Sequence, residues 1–227
     1  MKSIHKRLMA YLYMPLIFAI IGYFIIYMMM LPFQEIGLAL GNMVIAESAP
    51  TFHSKLDSIF QKPEITASDI MHPTETLPIS QIVIPEYETH YAEITSNRIG
   101  LSANLYFGDS NEVLRYGIGQ YGGSFLPGFG GTLLLAGHNT TYFLPLKDIQ
   151  VEDIIQITTN YGVYQYQVTE TKILKYDDDS AFDLSQREEE QLVAYTCYPF
   201  EQIGAVTQER FFVYADKVSG PDVMDEN

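Results

Sequence analysis

The chain opens with an unusually long apolar segment. Residues 11–31 contain no charged side chain, which is the length that a helix needs to cross about 30 Å of hydrocarbon. Lys2, Lys6 and Arg7 precede this segment, so the positive-inside rule places the N terminus in the cytoplasm and the rest of the chain outside. We therefore predict a cytoplasmic tip at residues 1–10 and a single transmembrane helix at residues 11–31.

A cleaved signal peptide is the competing interpretation of this segment, because small residues follow at positions 46–49. Its apolar core would be only about 7 to 15 residues long, shorter than the segment seen here. A membrane anchor is therefore the favoured interpretation. Both interpretations export the remainder of the chain.

Residues 32–80 show no sustained strand pattern and contain several prolines. One short amphipathic stretch predicts a helix, with its apolar positions at Phe52, Leu56, Ile59 and Phe60. We predict that this region is an extracellular linker or stalk that holds the following domain away from the membrane.

Short β-branched and aromatic runs, separated by Gly, Pro and Asn, begin at residue 81 and predict a mainly β domain over residues 81–219. The runs start at Ile82, Tyr91, Thr132, Ile154, Val163, Leu192 and Phe211. So many short strands are typical of a barrel or a sandwich. Asn160-Tyr-Gly predicts a hairpin turn, and Ser185 followed by Glu188 predicts a short helix within a long loop. Residues 220–227 are assigned to a C-terminal tail.

Charge and cysteine content narrow the possible functions. The net charge is -15 and the pI is near 4.5, so attraction to nucleic acid or to anionic lipid headgroups is not expected. A single cysteine excludes an intramolecular disulfide. This thiol is therefore either a small buried core residue or a reactive group.

Three side chains at predicted strand ends have complementary chemistry. Cys197 ends a strand just before Pro199, His138 follows a strand after Gly137, and Arg210 directly precedes the last strand. Taken singly, each has an ordinary structural explanation: a buried thiol, a solvated histidine and a surface ion-pair residue. Together they supply a nucleophile, a proton carrier and a fixed cation, which is the set that acyl transfer requires.

These residues and their spacing resemble those of the sortase family. His138 precedes Cys197 by 59 residues and Arg210 follows it by 13, within the range that the family shows. The runs Ala136-Gly-His-Asn and Thr196-Cys-Tyr-Pro-Phe are most similar to those of class D sortases. The family usually has Thr-Leu two positions before the Thr-Cys pair, whereas this chain has Val193-Ala.

The resemblance implies a closed sortase-type β-barrel with short helices in loops and a specific activity. Cys197 would attack the Thr carbonyl of a Leu-Pro-x-Thr-Gly-type sorting signal, giving a thioacyl enzyme. An amine from a cell-wall precursor or a pilin would then resolve it, as in a Gram-positive thiol protease that acts as a transpeptidase. His138 would transfer protons, Arg210 would stabilise the oxyanion, and the loop between Tyr176 and Gln191 would form one wall of the substrate groove.

The resemblance also suggests substrate contacts, which we assign to Thr196, Tyr198 and Ala136. No cofactor is required. The acidic run Asp177–Asp179 offers oxygen ligands of the kind that Ca²⁺ prefers, but a solvated acidic turn is the favoured interpretation, so no metal is predicted.

Other functions stay open at this point. A non-enzymatic, membrane-tethered β-domain that binds surface ligands would share the anchor and would carry an inert, buried Cys197. A cysteine L,D-transpeptidase or a papain-like peptidase would share the thiol, but the order of Cys and His along this chain argues against both.

Overall fold

The computed structural model describes residues 13–14, 16–24, 26–27, 56–63, 76–185, 189–200 and 207–224. The chain divides into two compact units, Met1–Pro50 and Thr51–Asn227. In the first unit the described residues are helical and their large apolar side chains are exposed. None of the helices in the described residues has the length and hydropathy of a membrane span. The transmembrane helix at residues 11–31 stays a prediction.

Over its described residues the second unit contains ten strands, two short 3₁₀ helices and one short α-helix. The bounds are β1 Leu77–Pro78, β2 Thr89–Ser96, β3 Leu101–Phe107, α1 Asn111–Tyr116, β4 Ile118–Gln120, β5 Thr132–Ala136, β6 Ile154–Thr159, β7 Val163–Lys175, β8 Gln191–Tyr198, β9 Glu209–Ser219 and β10 Val223–Met224, with 3₁₀ helices at Ile79–Gln81 and Leu144–Asp148. Eight strands close into a barrel in the order β2-β3-β4-β5-β8-β9-β7-β6, and β1 and β10 form a separate parallel pair. The predicted mainly β fold with a closed barrel is confirmed.

Burial on both faces explains the apolar runs in the centre of the barrel sheet. Leu192 and Ala194 of β8 lie in the barrel core, whereas Val193 packs on the outer face against Ala181. Ala181 belongs to the segment between β7 and β8, residues 176–190, which we call the β7–β8 loop. Because this loop covers the outer face, β5 is buried along its whole length and has no polar alternation.

Six of the predicted strands are confirmed as β2 and β5 to β9, and the hairpin turn after Asn160 joins β6 to β7. The strand predicted at residues 82–84 is wrong. Val83 and Ile84 are exposed there, and Pro85, which lacks an amide proton, follows directly. β3 and β4 were not predicted, because the run over β3 is interrupted by Ser, Ala and Asn and acquires its strand conformation from pairing with β2.

Residues 56–63 pack on the barrel as an extended segment. Ser58 forms a parallel bridge with His90 of β2, and the Ile59 amide donates to the His90 carbonyl at 3.0 Å. On the other side the Asn160 amide group donates to the Ile59 carbonyl at 2.6 Å. The helix predicted in this region is therefore wrong for its described residues, and packed structure begins before residue 81.

A buried carboxylate fixes the start of β8. Glu190 is 7% exposed and accepts hydrogen bonds from the amides of Gly128 (3.0 Å) and Gly130 (3.2 Å) and from the Tyr166 hydroxyl (2.5 Å). The ammonium group of Lys217 lies 3.7 Å from the same carboxylate. Gly128 and Gly130 have φ values of 89° and 73°, which favour glycine and let both amides converge on one carboxylate.

Replacing Glu190 by Gln should destabilise the barrel by about 2 to 4 kcal/mol. The NH₂ group of the new side chain would face buried N–H and O–H donors that the carboxylate now accepts from. Replacing Glu93 by Gln is the matched control. The Glu93 carboxylate pairs with Lys62, whose side chain is 74% exposed, so the loss should stay below about 1 kcal/mol. Urea unfolding of the two variants measures both values, and equal losses would show that the Glu190 contacts contribute little.

Candidate active site

The parallel register of β5 and β8 brings two predicted site residues to the same end of the barrel. Ala136, the last residue of β5, pairs with Tyr195 of β8. His138 lies two residues beyond the end of β5, and Cys197 lies two residues beyond Tyr195. His138 and Cys197 are 59 residues apart in sequence, but each comes two residues after a member of the Ala136–Tyr195 pair. Their backbones therefore lie side by side.

Two side-chain hydrogen bonds hold these strand ends together. The Thr196 hydroxyl donates to the Gly137 carbonyl at 2.7 Å, and the Asn139 amide donates to the Pro199 carbonyl at 3.1 Å. Each bond joins a residue adjacent to His138 to a residue near Cys197. A side chain at Gly137 would meet the ring of Phe143 at 2.7 Å, so this close approach of backbone and ring requires glycine.

Arg210 is the direct cross-strand partner of Cys197. The antiparallel register of β8 and β9 pairs Cys197 with Arg210 and Tyr195 with Phe212. Side chains of directly opposed residues project to the same face, with Cβ atoms about 4.5 to 5.5 Å apart. The face is the outer one, because Val193 and Phe212 pack there beneath the β7–β8 loop. Both Cys197 and Arg210 are half-buried.

The guanidinium of Arg210 is held by backbone carbonyls just before and at the start of β9. Nη1 donates to the backbone carbonyls of Thr207 at 2.8 Å and Glu209 at 2.9 Å. The ring of Tyr176 lies 6.0 Å from the guanidinium carbon. Nε and Nη2 have no hydrogen-bond partner among the described residues, which leaves donors for a ligand beside Cys197.

Burial and a neighbouring cation both change the pKa of His138. Partial burial, followed by the positive charge of Arg115 at the end of α1, lowers the pKa of His138 below its ordinary value. The residue as a whole still reaches the surface. His138 is therefore mainly neutral at pH 7, and its imidazole can accept a proton.

The pKa of Tyr195 reflects its position beside both paired site residues. Burial, followed by the negative charge of Asp109, raises it, while the cation of Arg210 opposes the rise and Cys197 adds to it. Tyr195 thus lies within electrostatic reach of both paired site residues. Its ring stacks on Phe212 with centroids 5.6 Å apart, so it forms part of the surface next to the thiol.

The residues assigned to substrate contacts occupy different settings. Ala136 is 5% exposed and Thr196 is 2% exposed, and the Thr196 hydroxyl is engaged with Gly137. Tyr198 is half-buried, and its ring meets the edge of Phe200 with centroids 6.2 Å apart. Thr196 therefore positions the backbone next to His138. Substrate contact by these residues stays a prediction.

The β7–β8 loop carries a shallow acidic pocket of about 380 Å³, which is lined by Tyr176, Asp177, Asp178, Asp179, Phe182, Asp183 and Leu184. Among the described residues there is no group of three or more His, Cys, Asp or Glu side chains placed to hold a metal ion. Residues 176–185 contain turns and no helix. The helix predicted to begin at Ser185 falls on residues 186–188, which lie outside the described residues.

Several contributors to the site were not predicted. The sequence alone could have indicated Asn139 as part of the site, because it directly follows His138. Arg115 had no such indication, because α1 reaches the site only through the closure of the barrel, and Tyr176 was named only as the boundary of the loop that the family resemblance places beside the groove.

Comparison with known proteins places this geometry among sortases. The family model described as "Sortase domain" matches residues 94–218, a range that includes His138, Cys197 and Arg210. Sortase D of Bacillus subtilis (strain 168) is 33% identical over 122 residues, which is 54% of this chain and 61% of that protein. The chain thus spans about three fifths of the length of this curated relative.

Solved structures of sortases are also similar to this chain. A Sortase D5 transpeptidase from Clostridium perfringens is 26% identical with a TM-score of 0.53, over 60% of this chain and 83% of that one. Sortase C1 from Streptococcus agalactiae is also 26% identical, with a TM-score of 0.52, over 58% of this chain and 68% of that one.

Replacing Arg115 by Gln should raise the pKa of His138, because the variant removes a positive charge that disfavours the imidazolium. An NMR titration of the His138 ring measures the pKa directly. Replacing Lys62 by Gln is the control, since Lys62 pairs with Glu93 of β2 and does not contribute to the pKa of His138. An unchanged or lowered pKa in the Arg115 variant would contradict the electrostatic coupling.

Proposed function

This chain belongs to the sortase family, and we propose that it is a cysteine transpeptidase that cleaves a Leu-Pro-x-Thr-Gly-type sorting signal after Thr. The observation that carries the proposal is the register of β8 and β9, which pairs Cys197 directly with Arg210. His138 is held at the same strand ends by the hydrogen bonds of its two neighbours in sequence. These positions support the assignment of Cys197 as nucleophile, Arg210 as fixed cation and His138 as proton carrier at one end of the barrel.

The first half of the proposed reaction forms a thioacyl enzyme. The Cys197 sulfur attacks the Thr carbonyl carbon, and the thiol proton passes to His138, whose lowered pKa keeps it ready to accept. The carbon–sulfur bond forms as the carbonyl oxygen becomes an oxyanion. Collapse of this intermediate breaks the Thr–Gly bond, and His138 returns the proton to the leaving amine.

The second half reverses these steps with a different amine. A primary amine of a cell-wall precursor or a pilin attacks the thioester, and His138 removes a proton from it. The new amide bond forms, the carbon–sulfur bond breaks, and Cys197 recovers its proton. Water in place of the amine would give hydrolysis.

Arg210 fits the role of oxyanion stabiliser. Its guanidinium is permanently charged, and Nη1 is already fixed by the carbonyls of Thr207 and Glu209. The remaining donors can therefore meet developing charge beside Cys197 with little reorganisation.

We also propose that residues 11–31 anchor the enzyme in the cell membrane of a Gram-positive bacterium, with residues 1–10 in the cytoplasm and the barrel outside. The uncharged length of this segment and the three preceding cations support this orientation. Sorting-signal proteins and the amine acceptor would then be met on the outer surface.

Replacing Cys197 by Ala should abolish cleavage of a sorting peptide while the barrel stays folded, because the half-buried thiol contributes little to core packing. In the wild type, hydroxylamine should divert the Thr-terminated product into a hydroxamate, and mass spectrometry should find the acyl fragment on Cys197 when acceptor is scarce. The site of the adduct is unambiguous because the chain has one cysteine.

A His138→Ala variant should suppress this adduct, since the leaving amine would lack its proton donor. Cleavage by the Cys197 variant, or wild-type cleavage that never yields hydroxamate or adduct, would overturn the proposed function.

Replacing Arg210 by Lys should lower kcat/KM by about 10²-fold or more, because a point ammonium cannot reproduce the geometry of the guanidinium donors. The Ala variant should be at least as impaired. Thermal melting of each variant separates this loss from unfolding. Near-normal turnover by a folded Lys variant would instead give Arg210 a structural role.

A further inference from the structure

The β7–β8 loop lies on the same outer face as the nucleophile. Its residues Ala181 and Leu184 pack in one apolar cluster with Val193 and Tyr195 of β8. Tyr195 and Cys197 are two residues apart on one strand and therefore project to the same face. The loop thus borders the surface that leads to the thiol.

Two buried hydroxyl groups hold the backbone of this loop. Tyr214 of β9 donates to the carbonyl of Ala181 at 2.6 Å, and Thr132 of β5 donates to the carbonyl of Asp183 at 2.6 Å. Tyr214 is 8% exposed and Thr132 is fully buried. The two donors come from strands on opposite sides of β8, so together they hold the loop across that strand.

The Tyr214 ring is itself held by neighbours that extend to the site. It stacks on Phe212 with centroids 6.3 Å apart, and Phe212 stacks on Tyr195 at 5.6 Å. The ammonium of Lys172 lies 5.1 Å from the Tyr214 ring centroid. A change to Phe would keep the stacking and the cation contact and would remove only the hydroxyl.

The start of the loop is fixed next to Arg210. The Tyr176 amide donates to the Gln208 carbonyl at 2.8 Å, and the Tyr176 ring lies beside the Arg210 guanidinium. The loop therefore has fixed points beside the cation and, through Glu190, at the start of β8. Between these fixed points, the backbone at Ala181 and Asp183 is held by the hydroxyls of Tyr214 and Thr132.

We propose that Tyr214 and Thr132 are positioning residues that hold the β7–β8 loop in place as a preformed wall for the sorting peptide. The proposal rests on the proposed function. If the peptide binds only molecules in which the loop is in this position, its apparent affinity falls in proportion to the fraction of such molecules. The hydrogen bonds from the Tyr214 and Thr132 hydroxyls to the loop thus lower KM, while the chemistry at Cys197 is unaffected.

Tyr214→Phe and Thr132→Val test the proposal in the full chain. The matched control is Tyr164→Phe, since Tyr164 is also buried but its hydroxyl has no hydrogen-bond partner in the described part of the chain. Hydrogen exchange is followed at the amides of Ala181 and Ser185, which are bonded within the loop, and at the amide of Asp178, which donates to the carbonyl of Lys175 at the end of β7. The second measurement is kcat and KM for a Leu-Pro-x-Thr-Gly-type peptide.

In each test variant we expect loop amides to exchange roughly fivefold faster, the effect of losing one net hydrogen bond. KM should rise, by at most that factor, with kcat unchanged, and the double variant should show a larger rise in KM. The Tyr164 control should show neither effect.

Unchanged exchange in both test variants would overturn the positioning role, whatever the activity. Faster exchange in the double variant with an unchanged KM would show that the two hydroxyls do not lower KM, which also overturns the proposal. A fall in kcat with KM unchanged would do the same, because it would place the effect on the chemistry. If the wild type cleaves no sorting peptide, the proposed function fails, and the exchange data still decide whether the hydroxyls hold the loop.

Discussion

The parallel pairing of β5 with β8 is the constraint on which the rest of the site depends. Parallel strands place their carboxyl ends at one edge, so residues that follow them become neighbours whatever their separation in sequence. β9 runs antiparallel to β8, and its first residues therefore lie at the same edge. Polar backbone groups at such strand ends need partners, and the side chains of Thr196 and Asn139 provide them. The same bonds that complete the barrel edge therefore hold the backbone around His138 next to the end of the strand that carries Cys197.

The opposite ends of these strands are fixed by different means. Glu190 gathers two loop amides, a tyrosine hydroxyl and a lysine around one buried carboxylate at the start of β8. The β7–β8 loop therefore starts beside the cation of the site and ends at a rigid carboxylate, with a covered apolar face between. The described residues of this loop are mostly exposed on one side and held on the other, an arrangement that would suit the proposed contact with an extended peptide.

Most of the barrel could be predicted from the sequence, for physical reasons, whereas the catalytic roles of His138, Cys197 and Arg210 stay predictions. Apolar runs such as Thr132–Ala136 mark strands because burial on both faces leaves no polar position. β3 and the extended segment at residues 56–63 were missed because their conformations come from partners distant in sequence, such as His90. The Tyr214 hydroxyl could not have been assigned to the loop, since nothing local distinguishes it from the other tyrosines.

The electrostatics of the proposed active site follow from separating a permanent charge from a proton carrier. The chain as a whole carries a net charge of -15, yet Arg210 and Arg115 stand beside Cys197 and His138. Burial and Arg115 keep His138 mainly neutral, so the imidazole does not duplicate the cation and can still accept a proton. Arg210 meanwhile keeps its charge throughout the reaction. In the proposed reaction the oxyanion and the proton would therefore be handled by different groups, and neither group would have to change its role as the acyl fragment passes from one amine to the other.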